Sequence, residues 1–379
     1  MEPKHYDYLI IGGGLSGLQL AKAIADHDLL QSKTLAIVEP KSKSKNDKTW
    51  CFWEKGEGKW DQLVSHVWHK AKVNTPYGEK HFDLAPYQYK KVRSVDFYEA
   101  LIPELKEHPQ ITWIEDEVID FELGEKHLIK GKNKTYTTAK LFDSSPPKKK
   151  GEAQYPYVLQ HFKGKVIETT EDMFDPKAFT MMDFSVGYQD QCCFTYVLPT
   201  SSKRALIEFT FFTPSLVDKK TYDELIEVYL KQAGVENFSV EEVEAGVIPM
   251  TSFPFWKENT HNYMRIGTAG GWVKASSGYS FKNTEKQVAK IIELLQAEKG
   301  LDTPAKAARF QWYDDLFLRV LYHQNKVGNK LFTEMYNRNS IQSIFEFLDE
   351  ESDITEEVKL INRFSKLPFL KALTKKALT

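Results

Sequence analysis

A chain of 379 residues, 41% hydrophobic and 27% charged, has an ordinary globular composition and is long enough for two or three packed units. Its 51 basic and 53 acidic residues leave a net charge of -2, so no basic field favours nucleic acid, and no run of roughly eighteen apolar residues is present to span a bilayer. Three cysteines, two of them the adjacent Cys192 and Cys193, make no disulfide framework and suit a reducing interior.

Residues 8–11 form a short apolar run without alternation, which predicts a strand buried on both faces of a parallel sheet. It starts so close to Met1 that no secretory signal is expected, and the chain reads as cytoplasmic. Gly12-Gly13-Gly14 follows at once. Leu15, Leu18, Ala21 and Ala25 then recur at helical spacing, and residues 34–38 give a second buried strand, completing a βαβ unit. A basic loop at 41–48 and a dense aromatic stop at 50–53 come next. Residues 96–107 predict a helix, and 111–114 and 141–143 predict strands returning to the same sheet. Pro146-Pro147 and the lysines up to Gly151 break the pattern, placing a boundary there.

Beyond it, 158–162, 179–184, 193–198 and 205–212 read as strands, interrupted by a helix at 219–233 that Gly234 closes. Residues 264–271 predict a strand entering a glycine turn. Asn283 is expected to cap a helix whose Val288, Ile291, Ile292 and Leu295 make one apolar stripe. From Thr303 the pattern is helical, interrupted by Asp349-Glu350-Glu351. The expected fold is α/β: a Rossmann-type three-layer domain with an inserted, mostly antiparallel β substrate domain and a C-terminal helical region. The division is 1–150 for the first part of the nucleotide domain, 151–245 for the insert, 246–300 for the return and 301–379 for the helices.

Gly12, Gly14 and Gly17 form a Gly-x-Gly-x-x-Gly turn between a buried strand and a helix N-terminus, where backbone N–H groups and the helix dipole face a pyrophosphate. Glu39 ends the second strand about 20 residues beyond Gly17, where an acid accepts hydrogen bonds from ribose hydroxyls. An NAD site would look nearly the same. FAD is favoured because a second glycine cluster, with Gly267, Gly270 and Gly271, returns late in the chain where it can meet the flavin and ribityl end.

The string Asn46-Asp47-Lys48-Thr49-Trp50-Cys51-Phe52-Trp53-Glu54 resembles the lycopene cyclase family, the flavin-dependent β-cyclases of carotenoid synthesis. So, in the same order, do Arg93 to Tyr98, Phe142-Asp143-Ser144, Met182-Asp183-Phe184, Ala205 to Thr210, Gly246 to Met250 and Gly267 to Gly271, so that the similarity covers nearly the whole chain. Thr268 stands where an Asp is common, Ser145 where many members carry Arg, and Phe209 where a second acid often follows the first.

The resemblance implies ring closure at the acyclic ends of lycopene to give β-carotene with no net redox change, on reduced FAD that NAD(P)H keeps reduced. Such carbocation chemistry needs a general acid, a group that stabilises the cation and a dry pocket. Glu208 is the candidate acid: in a strand over 206–212 it shares a largely apolar face with Leu206, Thr210 and Phe212, which raises its pKa and keeps it protonated. A glutamate on a solvated strand edge is the plainer alternative. Asp183 is the second candidate, as proton acceptor or as the partner that tunes Glu208, or simply as a strand-end Asp. Arg93 is expected near the FAD pyrophosphate, with a surface ion pair as the alternative. Trp50, Phe52 and Trp53 suit either a polyene channel or the core.

Lycopene resides in the bilayer, so peripheral contact with the membrane surface is expected. The Lys-rich stretch 364–378, with Phe364, Leu367, Phe369, Leu370 and Leu373, suits an interfacial helix or one docked on the protein. On the same fold an FAD-dependent monooxygenase, an isoprenoid reductase or a non-catalytic carotenoid-binding flavoprotein would carry many of the same signals.

Overall fold

The computed structural model describes residues 2–146, 154–302 and 308–377. The strand Lys4–Ile11 lies at the centre of the first sheet. It pairs in parallel with Leu35–Val38 on one side and with Thr135–Asp143 on the other. Ile111–Ile114 and Tyr263–Arg265 extend the parallel part, and the hairpin of Val118–Glu122 and His127–Gly131 adds an antiparallel edge. Tyr8 to Ile11 are all buried, as expected of a strand covered on both faces. One face packs on the helices Leu15–Asp26, Ser94–Glu107 and Phe281–Gln296. On the other, Leu9, Ile11, Ala36 and Val38 meet Phe121 and Ile129 of the hairpin. That is the three-layer arrangement.

The second sheet runs in the order Phe238–Thr251, Tyr157–Thr169, Arg204–Thr213, Cys193–Pro199, Ala178–Asp183, Lys70–Thr75, Gly78–Asp83. Every neighbouring pair is antiparallel except Ala178–Asp183 with Lys70–Thr75. The strand Arg204–Thr213 is central, and its residues from Ala205 onward are all buried. Its odd-numbered side chains, Ile207, Phe209 and Phe211, pack beneath the helix Lys219–Gln232. Leu206 and Phe212 instead face the cluster built with the C-terminal helices. A three-stranded sheet of Thr49–Lys55, Tyr87–Arg93 and Val64–Trp68 bridges the two larger sheets. It is tied to the nucleotide layer by Phe52, whose ring stacks on Phe281 at 4.4 Å. A pair of that kind contributes about 0.5–1.5 kcal/mol beyond the area it buries.

The chain does not divide at the expected positions. Residues 70–83, which fall in the 1–150 segment, complete the second sheet, because their alternating apolar side chains Ala71, Val73 and Phe82 find their apolar partner surface beside Phe179 and Met182. The strand Phe238–Thr251 likewise runs through the expected boundary at 245/246 without interruption. Asn283 does not cap its helix: Ser280 is the N-cap, since burying Phe281 starts the helix earlier, and the Asn283 amide donates to the Trp272 carbonyl instead. Of the expected break at 146–151 only Pro146 lies within the described residues, and the expected helical start at Thr303 and Leu378 lie outside them. The described C-terminal helices are Ala308–His323, Gly328–Arg338, Ile341–Leu348, Ile354–Asn362 and Lys366–Ala377.

Candidate active site

Backbone proximity explains most of the glycines of the first turn. Gly12 has φ +99°, and a Cβ there would lie 2.1 Å from Ser144 Oγ, while one at Gly17 would lie 2.0 Å from the Gly12 carbonyl oxygen. The helix Leu15–Asp26 can therefore start directly over the strand only with glycine at 17. A Cβ at Gly14 would touch nothing in the protein, so packing gives no reason for glycine there. Close approach of a ligand's phosphates does. The buried Glu39 carboxylate accepts from Gly13 N–H at 2.7 Å and Lys41 N–H at 3.1 Å, which fixes it at the lip of the turn.

The second glycine cluster abuts the first. A Cβ at Gly267 would come within 2.7 Å of Ser16 Oγ, and the turn Gly267–Gly270 ends at Gly271, where φ is +69°. Thr268 is exposed on that turn. The hydroxyls of Ser276 and Ser277 are buried without a protein partner, just ahead of the helix Phe281–Gln296. Unpaired buried hydroxyls beside a positive helix end fit a polar, negatively charged ring system. Arg93 occupies the N-cap position of the helix Ser94–Glu107 without a side-chain cap bond, is partly exposed, and makes loose ion pairs with Asp96 at 3.8 Å and Glu242 at 3.7 Å.

A cavity of about 490 Å³ opens from residues 276–281 and runs between the second sheet and the C-terminal helices. Glu208, Thr210, Leu206 and Phe212 line it together, so the four residues expected to share a face do so. Register then brings in a second carboxyl. Gly164 pairs with Glu208 on one side and with Glu244 on the other, which places the two glutamates on one face with only a glycine between them. A Cβ at Gly164 would sit 3.3 Å from both Glu208 Cβ and Glu244 Cγ and 2.8 Å from Leu206 Cδ1. The missing side chain is the room through which the two acids hydrogen-bond.

Burial, reinforced by the neighbouring Glu244 charge, pushes the Glu208 carboxyl up to about 8. Burial also raises Glu244, opposed by a hydrogen bond from Thr49 Oγ1 at 2.8 Å and by the Lys91 ammonium. Thr210 Oγ1 donates to Glu208 at 2.7 Å. The Thr49 hydroxyl and the Lys91 ammonium favour charge on Glu244, which leaves the proton of the pair with Glu208. The row continues through Tyr196, directly opposite Glu208. Its hydroxyl is 2.7 Å from that of Tyr89, which in turn is 2.9 Å from that of Tyr279. One wall of the cavity thus carries a row of polar groups, while most of the remaining lining is aliphatic and aromatic.

Asp183 is not brought to Glu208. It pairs with Thr195, one residue off Tyr196 and hence on the opposite face, and is absent from the cavity lining. Its oxygens accept from Asn74 at 3.1 Å, from the Ser185 N–H at 2.9 Å and from Tyr229 on the helix side at 3.2 Å. Phe209 points to that side too, so an acid at 209 would not reach the cavity. Trp50 lines the cavity, whereas Phe52 and Trp53 stack on Phe281 and Phe345. Sequence reasoning missed Glu244, Gly164 and the tyrosine cluster. The signal for Glu244 was its place two residues before Gly246, on the strand face it shares with Ile248.

Among solved structures the fold resembles a geranylgeranyl bacteriochlorophyll reductase-like protein from Thermoplasma acidophilum (TM-score 0.57, 12% identity, 99% of this chain and 97% of that one). It also resembles a flavin-dependent brominase (TM-score 0.54, 14% identity, 98% and 99%) and a halogenase in complex with FAD (TM-score 0.55, 10% identity, 91% and 79%). The chain is 30% identical over 172 residues to a lycopene beta-cyclase from Paracoccus sp. (strain N81106 / MBIC 01143), a stretch that spans 43% of this chain and 44% of the relative. Residues 7–374 match one family from end to end, and with the glycine cradle, the return to the first sheet and the buried acid face all inside that span, the chain belongs to the lycopene cyclase protein family.

Proposed function

We propose that the protein binds FAD and closes β-ionone rings at the acyclic ends of lycopene without net redox change. The observation that carries this reading is the Glu208–Glu244 pair, a carboxyl kept protonated near neutral pH on the wall of a largely apolar cavity that opens from residues 276–281. Gly12, Gly14, Gly17 and Glu39 would hold the ADP half. Gly267, Gly270, Gly271 and the Ser276 and Ser277 hydroxyls would hold the ribityl and ring end, whereas Arg93, paired with Asp96 and Glu242, takes the surface ion-pair role. Held in the glycine cradle in its reduced form, with NAD(P)H as reductant, FAD would supply negative charge beside the developing cation.

Glu208 donates its proton to the terminal double bond of lycopene. The next double bond attacks the tertiary cation, and the ring double bond forms when a proton leaves the ring. Glu244 holds the remaining charge of the pair, stabilised by Thr49 and Lys91, and can take the departing proton so that the pair is restored. The apolar walls exclude water, which would otherwise capture the cation as an alcohol. Asp183 has no acid–base part in this scheme. The substrate resides in lipid, so the protein works at the membrane surface; no helix among the described residues is long and apolar enough to cross a bilayer.

The test is expression in lycopene-accumulating cells followed by pigment chromatography. Ring-bearing products are expected, and unchanged lycopene alongside folded, flavin-loaded protein would refute the reading. Net NAD(P)H consumption per product would point to a monooxygenase or reductase on the same fold, and unaltered binding of carotenoid by Glu208→Gln with no turnover in either form to a binding flavoprotein.

A further inference from the structure

The C-terminal helices have two apolar faces where one would suffice to hold them. In Lys366–Ala377, Ala372 is fully buried and Phe369 packs with Phe364 against the neighbouring helices, so this helix is docked on the protein. Yet Leu367, Leu370 and Leu373 on the same helix remain 63%, 57% and 36% exposed. The helix Ile354–Asn362 repeats the pattern: Ile354, Val358 and Ile361 recur at helical spacing and are 66%, 49% and 36% exposed. Trp312, on Ala308–His323, is 46% exposed.

These stripes converge. Trp312, Ile361, Leu370 and Leu373 are both solvent-exposed and part of the cavity lining, so they form its mouth. The mouth therefore opens through an apolar patch made by three helices. Residues 358–377 around it carry the exposed Lys359, Arg363, Lys366 and Lys371 and no acidic residue, while Lys376 is engaged by Asp315 at 2.7 Å and the acids Asp353 and Glu356 lie at the far end of the Ile354–Asn362 helix. Apolar side chains rimmed by cations match an anionic lipid surface, in which the stripe enters the acyl boundary and the basic groups meet the headgroups. A second copy of this chain would bring like charge against like charge.

We propose that this three-helix mouth is a lipid-docking portal, lying against an anionic bilayer so that the polyene passes from the acyl layer into the cavity without crossing water. The choice of a polyene rests on the cyclase reading; the docking of the patch does not. The portal orients the cavity roughly along the membrane normal, with the Glu208 row at the inner end.

Leu367 and Val358 belong to the stripes but not to the cavity lining, so Leu367→Glu combined with Val358→Glu tests docking without touching the pocket. The full-length, FAD-loaded protein is floated with vesicles of phosphatidylcholine plus phosphatidylglycerol, and turnover is measured with lycopene in those vesicles and with detergent-dispersed lycopene. The double variant is expected to lose at least about tenfold in vesicle binding and in vesicle turnover, and to keep detergent turnover within about twofold, since losing one Leu and one Val contact with the acyl layer and adding two negative charges against anionic headgroups costs more than about 1.4 kcal/mol. Unchanged vesicle binding, an equal loss in detergent, or a dimer in gel filtration that the variant dissolves would each overturn the portal. Should the unsubstituted protein cyclise lycopene in neither form, the cyclase reading fails and vesicle binding alone decides the docking.

Discussion

The two faces of the second sheet are buried to a similar degree, each carries a carboxylate, and the two acids differ in everything else. On the helix side Asp183 has three donors and no acidic neighbour in contact; on the cavity side Glu208 has one donor and a second carboxyl with which it must share a proton. Burial alone does not make a catalytic acid. An acid held by three donors serves as a structural hydrogen-bond acceptor, whereas one pressed against a like charge in a buried site holds its proton.

The sharpest way to break that comparison is Glu208→Gln. It is expected to cut ring formation by roughly 10³-fold while the flavin spectrum of the purified protein is retained. The same substitution has a defined effect on stability. The unfolded carboxyl ionises at its ordinary value near 4.5, the folded one only at about 8, so stability is fully present below pH 4.5 and is progressively lost as pH rises toward 8. Glu208→Gln removes this penalty, and thermal melts should show it more stable than the natural protein at pH 8, with the difference shrinking toward pH 4.5.

Gly164→Val comes next, since its side chain would wedge the two glutamates apart. Turnover should fall about 10²-fold in a folded, FAD-loaded protein, and near-normal rates would mean that the carboxyls need not touch. Glu244→Gln should cost about tenfold and move the alkaline limb of the pH–rate profile to lower pH, because removing the neighbouring charge lets Glu208 ionise more readily. The smallest effect is expected from Asp183→Asn: turnover within about twofold, with about 1 kcal/mol lost in a denaturant titration. Loss of turnover there would erase the distinction between the two faces.

Legibility followed the range of the signal. The turn at Gly12, Gly14 and Gly17 and the acid Glu39 lie within one βαβ unit, so their arrangement was readable from spacing, although the contact that requires glycine at 12 comes from Ser144, far along the chain. The face of Glu208 was readable for the same reason, since alternation within one strand is local. Glu244 was not, because its place beside Glu208 depends on the pairing of three strands that lie 36 residues or more apart in sequence between Glu208 and Glu244, and on a glycine at 164 whose role appears only in that register. The domain limits failed in the same way at residues 70–83, whose sheet is chosen by the tertiary partner Ala178–Asp183 and not by the preceding chain. At the C-terminus the docked alternative holds for one apolar face of Lys366–Ala377, and the other apolar face is exposed.

The most direct measurement is ring formation from unlabelled lycopene in D₂O, read by mass spectrometry. Protonation by the exchangeable Glu208 carboxyl predicts one solvent deuterium retained per ring, no stoichiometric consumption of reductant, and loss of both ring and label in Glu208→Gln. Rings formed without solvent deuterium, or labelled equally in Glu208→Gln, would contradict the account.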